Sequence, residues 1–439
     1  MVLILLVFII ALASTALLLK SYNPVSLRVQ QAKKTEQSLA SAKQALLAYA
    51  AKPITAPPSS TALTCNDNCP RPGDMPCPDM DNYGEAAASC SANQIGRLPW
   101  KTLGTDDLRD GAGERLWYSV SEQYKNNPRL LPLNSDSKGT ISLRDSQGNL
   151  LYDATGTTGL AAVVMAPGEV LTRGDGLVQS RTAANQNSAN HYLDIVYGED
   201  NASLTEGSTD GFISGMVNNA GQKLLNDVVL PITRDEVIAV MEPRVLEEVA
   251  QAMRYYYSVK SYYPDPASIT DTTCLTIVTI LNDATNAKCT TSTANSFGRI
   301  PVGAVTMPPS SDIWAVEDSN SILRGERAHN WFQQNGWREL ILYAVAPACT
   351  LTNLNCTGVG YLTLNNSITP FSAPMPNNKQ VVLIASGKAL TLTGQTRTDS
   401  TDKSLFSNYL EDSENLNLDN IFNRHTLDAS KNDRLISTP

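Results

Sequence analysis

The chain has 439 residues, enough for two or three domains at roughly 150 residues each. Its 34 Lys and Arg stand against 43 Asp and Glu, and the formal net charge of −9 excludes nucleic-acid binding by bulk charge. Hydrophobic residues at 42% exclude general disorder, and three scattered histidines, His191, His329 and His425, argue against a histidine-rich metal centre or a Ser-His-Asp enzyme.

Residues 1–19 read MVLILLVFIIALASTALLL, and no charge occurs before Lys20. As a helix at ~1.5 Å per residue this run covers about 28 Å, the hydrocarbon thickness of a bilayer. A cleaved signal peptide would need a basic leader, and nothing basic precedes the run. Lys20, Arg28, Lys33 and Lys34 follow it, so a positive-inside count puts the remainder in the cytoplasm, whereas eight cysteines and a Ser/Thr-rich body argue for the other side. Both facts fit a short basic leader once present before Met1 and since removed. Pro24 is expected to kink the helix. Beyond it, Val25, Val29, Ala32, Leu39, Leu46 and Ala50 form a narrow apolar stripe that Pro53 stops. Residues 1–52 therefore read as one long helix, apolar and then amphipathic.

The remainder splits into residues 53–241 and 242–439, which repeat the same blocks in the same order. Gln44-Ala45-Leu46-Leu47-Ala48-Tyr49 corresponds to Gln251-Ala252-Met253-Arg254-Tyr255-Tyr256, with Leu39 opposite Leu246. Gly96-Arg97-Leu98-Pro99 corresponds to Gly298-Arg299-Ile300-Pro301. Asp110 to Val120 matches Asn335 to Val345, and Val163-Val164-Met165-Ala166-Pro167-Gly168 matches Val382-Leu383-Ile384-Ala385-Ser386-Gly387. A weaker block pairs Tyr192-Leu193 with Tyr409-Leu410. The boundary is placed at Glu242-Pro243, where proline suits the first turn of a second helix. Aromatic and aliphatic runs over 115–121, 340–346, 160–166 and 380–385 predict strands, 139–152 predicts a hairpin turning at Gln147-Gly148-Asn149, and 212–230 predicts a surface helix. Each half is thus a helix on an antiparallel sheet, an α+β unit.

Cys65, Cys69, Cys77 and Cys90 fall in the first half, and Cys274, Cys289, Cys349 and Cys356 in the second. Without a CxxC pair or a nearby histidine they read as disulfides of an oxidising compartment. Cys274–Cys289 and Cys349–Cys356 are the natural local pairs, and three connectivities stay open among the first four. Asp79, Asp81 and Glu85 offer oxygen ligands around a glycine bend that suit Ca²⁺, without the twelfth-position glutamate of an EF-hand. The alternative is a solvated turn beside Cys77. The acidic run Glu411-Asp412-Ser413-Glu414-Asn415 reads as a solvated loop. Tyr255, Tyr256, Tyr257, Tyr262 and Tyr263 form an aromatic patch that packs on the sheet or meets a partner. No GxGxxG, Walker, HExxH or GxSxG motif occurs, so no catalytic residue and no further cofactor are expected.

The uncharged leading helix, the proline just past its twentieth residue, the continuation ending in AKQALLAYA and the α+β heads together resemble the type IV pilin and type II secretion pseudopilin superfamily. The blocks MPCPDMD, GRLPWKTLG and LRDGAGERLWYSVS are similar to those of large pilin-like proteins of Gram-negative bacteria. The resemblance implies two tandem pilin-like domains, trimming by prepilin peptidase with Met1 as the mature N-terminus, residence in the inner membrane, and assembly with itself or other pilins into a periplasmic or extracellular filament. Met1, Leu5, Ile10 and Pro24 are then assembly positions. Leu5 departs from the glutamate that most filament-forming members carry at the fifth mature position, which favours a minor or tip role. A non-polymerising, membrane-anchored, adhesin-like ectodomain is the rival reading.

Overall fold

The computed structural model describes residues 24–52, 71–204, 211–219, 222–272, 275, 296–300, 332, 335–350, 353–357, 360–366, 378–417 and 419–438. Two long helices and two four-stranded antiparallel sheets organise this mixed α+β fold. The leading helix, Pro24–Ala50, is rich in Ala, Gln and Lys and contains no glycine. Among the described residues no helix is long and apolar enough to cross a membrane. Residues 1–19, with Met1, Leu5 and Ile10, lie outside the described residues.

The first sheet places Ile95–Arg97, Trp117–Val120, Leu160–Ala166 and Val228–Thr233 side by side in that order. The second places Phe297–Arg299, Ile341–Val345, Val381–Ala385 and Arg434–Thr438 in the same order. Their registers correspond residue for residue. Across the first sheet Gly96 faces Tyr118, Tyr118 faces Val164 and Val164 faces Leu230. Across the second Gly298 faces Tyr343, Tyr343 faces Leu383 and Leu383 faces Ile436.

Two expectations need correction. The segment 212–230 is not a helix but strands: Gly211–Ile213, Val217–Asn219, Gln222–Leu225 and the start of Val228–Thr233. The β-branched run and the Asn218-Asn219 turn signal outweigh its helical spacing, and Pro231 is tolerated because its strand forms the sheet edge. The second long helix begins at Arg234, not at Pro243, because Thr233 and Glu236 form a capping box upstream: Glu236 N donates to Thr233 Oγ1 at 3.3 Å and Thr233 N to Glu236 Oε2 at 2.9 Å. This junction helix, Arg234–Lys260, carries Pro243 inside it and crosses the expected boundary. The hairpin over 139–152 forms as expected from Ser142–Arg144 and Leu150–Tyr152.

The junction helix touches strands of both sheets, so the main core runs through both halves. Leu39, Leu46, Tyr118 and Val164 join Leu246, Met253 and Tyr256 of the junction helix and Tyr343 and Leu383 of the second sheet in one apolar cluster. Leu39 and Leu246, paired by the sequence repeat, are both buried here. The tyrosine patch is mostly core as well: Tyr256, Tyr262 and Tyr263 are buried, and Tyr257 stacks on Tyr263 at 4.8 Å. A separate cluster of Trp117, Leu143, Leu160, Val163 and Phe212 lies on the other face of the first sheet.

Candidate functional site

Three features of the described residues could carry function: the projecting end of the leading helix, the Asp79 turn, and an arginine-lined cleft. The helix buries Leu39, Ala42, Leu46 and Ala50 against the first sheet and the junction helix. Gln31, Thr35 and Ser38 are the last positions where the head meets it: Ser38 Oγ donates to Arg109 O at 2.7 Å and Gly111 N donates to Thr35 Oγ1 at 2.9 Å. A side chain at 111 would run into the Gln31 backbone, so only glycine lets the loop approach that closely. Upstream, Val25, Leu27 and Val29 stand exposed, two of them by more than three-fifths. Pro24 is the first helical residue described.

Asp79, Asp81 and Glu85 do sit in one turn, but Asp79 spends its oxygens on backbone amides. Oδ1 accepts from Asp81 N at 3.0 Å and Asn82 N at 2.8 Å, and Oδ2 accepts from Gly84 N at 2.6 Å. Burial pushes the Asp79 carboxyl above its usual range, and these amides pull it partly back. Asp81 and Glu85 are exposed, and Asp81 Oδ1 accepts from Tyr83 N at 3.1 Å. Among the described residues no three His, Cys, Asp or Glu side chains are grouped to hold a metal ion. The turn instead fixes Asn82 in a left-handed conformation, φ 67°, from which its backbone and side-chain oxygens each accept from Arg115 Nη1 at 2.8 Å.

Arg115 forms one wall of a cleft of about 320 Å³ lined also by Arg97, Arg109, Arg181, Glu114, Gln186 and Tyr192. Asp107 holds two of the arginines, Arg109 at 2.7 Å and Arg115 at 2.9 Å, and their charges keep its carboxyl low despite partial burial. Arg97, from the repeated Gly-Arg-x-Pro block, lies with its guanidinium 4.0 Å from the ring centres of both Trp117 and Tyr192. Burial lowers its pKa to about 10, so it stays cationic at neutral pH.

Behind the cleft is a polar clasp present in both halves. In the first, Gln179 Nε2 donates to Asp194 Oδ1 at 2.9 Å, Asn226 N to Asp194 Oδ2 at 2.8 Å, and Asp194 N to Asp227 Oδ2 at 2.7 Å. In the second, Gln395 Nε2 donates to Glu411 Oε1 at 2.8 Å, Asn432 N to Glu411 Oε2 at 3.0 Å, and Glu411 N to Asp433 Oδ2 at 3.2 Å. Arg181 and Arg397 reach over Tyr192 and Tyr409 and donate to Gly168 O and Gly387 O at 2.7 and 2.9 Å. Glu411 and Asp412 are therefore not a solvated loop; Asp412 is buried and binds Lys431 at 3.1 Å. The weak Tyr-Leu block was the visible tip of this clasp. Its other parts, Gln-x-Arg-Thr at 179–182 and 395–398 and Asn-Asp at 226–227 and 432–433, are legible in the sequence once that block is used as the anchor.

Cys77 is bonded to Cys90 and Cys349 to Cys356. The second is the expected local pair, and the first selects among the three connectivities. Cys65, Cys69, Cys274 and Cys289 lie outside the described residues. No protein-family model, curated protein or solved structure matches this chain.

Proposed function

We propose that the chain is a structural, non-catalytic subunit of a pilin-like filament of the type IV pilus or type II secretion kind, assembled through its leading helix. The carrying observation is the division of that helix: Leu39, Leu46 and Ala50 are at most 3% exposed, while Val25, Leu27 and Val29 are 65%, 42% and 62% exposed. An amphipathic helix normally turns its apolar residues to its own core. This one stops doing so halfway, and the sequence upstream is uncharged and nearly all apolar over 1–19. Such a surface can be covered by lipid or by copies of itself, which is the exchange a filament needs.

The corresponding sheets, registers and clasps support two tandem pilin-like domains, each a helix on an antiparallel sheet, with the leading helix serving the first and the junction helix the second. The two disulfides suit an oxidising compartment, in keeping with residence in the inner membrane followed by a periplasmic or extracellular filament, with other pilins and prepilin peptidase as partners. The arginine cleft favours a second reading, a membrane-anchored binding ectodomain that never polymerises. Negative-stain microscopy of the full chain separates the two. Regular fibres that vanish in Ile10→Lys, where a charge enters the apolar bundle, support the filament. Monodisperse particles from the wild type, or an undiminished fibre yield from Ile10→Lys, would sink it.

A further inference from the structure

The two halves use the same arginine in different ways. In the second half Arg397 Nη1 lies 3.1 Å from Asp136 Oδ2, and Asp136 belongs to the first half. Ala389 N donates to Asp136 Oδ1 at 2.8 Å. The loop that carries Asp136 is seated by its neighbours: Leu133 N donates to Asn335 Oδ1 at 2.9 Å, and Asn134 Nδ2 to Asn335 O at 2.6 Å. The second-half arginine is therefore a receptor for a carboxylate brought by the first half.

Arg181 holds the matching place in the first half, with the matching bond to its glycine carbonyl and the matching tyrosine beneath it. Its side chain is 8% exposed, and Glu114 Oε1 lies 3.3 Å from its Nη1. Its Nε and Nη2 are buried without a hydrogen-bond partner, whereas Arg397 donates from Nε to Asn408 O at 2.8 Å and from Nη2 to Ser386 O at 3.3 Å. A buried donor left unpaired is costly, so the site is stabilised by whatever satisfies it. The cleft that Arg181 lines has three more arginines on its walls. Asp107, shared by Arg109 and Arg115, and Glu114, beside Arg181, leave the cluster cationic in a chain of net charge −9.

We propose that this cleft is a carboxylate-binding site, in which Arg181, with Arg97, Arg109 and Arg115 around it, takes an acid from outside the first half at its unpaired Nε and Nη2, its Nη1 already facing Glu114 where Nη1 of Arg397 faces Asp136. The planar guanidinium fork matches a carboxylate in two parallel hydrogen bonds, which a lysine cluster would not provide. Two sources carry this chemistry: a free acid such as a uronic acid, or an acidic side chain on a second copy of the chain. The site does not depend on whether the helix polymerises.

The test uses the full-length chain in detergent. Isothermal titration with sodium citrate and sodium glucuronate reads the free-acid source, and sedimentation velocity over a concentration series reads the second copy. Arg181→Gln, and Arg109→Gln on the more exposed rim in case the first variant folds poorly, are each expected to weaken the observed event by about tenfold or more. Heat with either acid that both variants reduce assigns the free source. Self-association that both variants reduce, without such heat, assigns the second copy. Neither event in the wild type, either event surviving in both variants, or inorganic phosphate bound more tightly than both acids would overturn the proposal.

Discussion

The two halves share a sheet, a register and a clasp, yet they differ in what covers them. Arg97 has two aromatic neighbours, Trp117 and Tyr192, each with its ring centre 4.0 Å from the guanidinium. Among the described residues Arg299 has one aromatic neighbour, Tyr409 at 5.7 Å, because Leu342 stands where Trp117 stands in the first sheet. Arg397 is closed by Asp136, and Arg181 opens on a cleft. Most of the hydrogen bonds that define the repeat have a backbone partner and survive changes in the side chains above them. The covers are free to diverge, and divergence there turns a closed structural clasp into an accessible site.

The comparison can be broken most severely in the core. Leu46 and Met253 occupy matching places on the two helices and are fully buried in the same cluster. Leu46→Ala and Met253→Ala should each cost about 2–5 kcal/mol by urea denaturation, since each leaves a cavity that its neighbours fill only in part. A large loss from one and less than about 1 kcal/mol from the other would show that the helices do not play equivalent parts.

Those two residues also show how far the sequence reaches. The repeat of Leu39 and Leu246, of the Gly-Arg-x-Pro blocks and of the apolar strands is legible because backbone geometry demands particular residues at fixed spacing. The start of the junction helix was hidden by Pro243, a residue that suits a helix start but that this helix carries in its interior. The cleft was less legible still. Arg97, Arg109, Arg115 and Arg181 are brought together by the Asp79 turn and the clasp, and nothing local in the sequence marks their meeting. Asp79 was visible as an acid in a turn, but its work is to bond amides, which composition alone does not separate from metal binding.

The clasp carboxyls give a comparison across pH. Burial pushes Asp194 up to about 6, and burial with the neighbouring Asp194 charge raises Asp227 well above its usual range. Glu411 and Asp433 are raised by burial in the same places of the second half. A carboxyl whose folded pKa is raised keeps a proton that the unfolded chain releases near pH 4. Its contribution is full below that pH and is lost as pH climbs through the folded value. For Asp194 this places the fall in stability between about pH 4 and 6. Asp194→Asn should lower stability throughout, since asparagine cannot accept from both Gln179 and Asn226, but should flatten this fall in urea midpoints taken at half-unit intervals. A slope identical to the wild type would remove Asp194 as its source.

A smaller effect sharpens the likeness at a single backbone position. Gly168 and Gly387 have φ of 63° and 62°. A Cβ there would lie 2.9 Å from Asn226 Cγ in the first half and 2.4 Å from Asn432 Cγ in the second. Those asparagines hold Glu169 O and Lys388 O at 2.8 and 2.7 Å, so they cannot swing away without losing a bond. Gly168→Ala and Gly387→Ala should each cost about 1–3 kcal/mol, with the second the larger. Gly176→Ala, at φ 88° with nothing within 4 Å, isolates the backbone part and should cost less. Equal losses at all three positions would mean that the asparagine contact contributes nothing.

The smallest expected effect on folding carries the most for function. Val29 lies on the same helix as Leu46, but it is 62% exposed where Leu46 is fully buried. Val29→Ser should change the urea midpoint of the detergent-solubilised chain by no more than about 0.5 kcal/mol, because it touches no core. If neighbouring copies cover this face in a fibre, the same substitution should reduce fibre yield or raise the concentration at which fibres form. A variant that loses stability as Leu46→Ala does would place Val29 inside its own head and remove the divided helix. A variant that changes neither stability nor fibre formation would confine the assembling surface to residues upstream of it. The two measurements on one side chain thus separate what the helix does for its own fold from what it does for a neighbour.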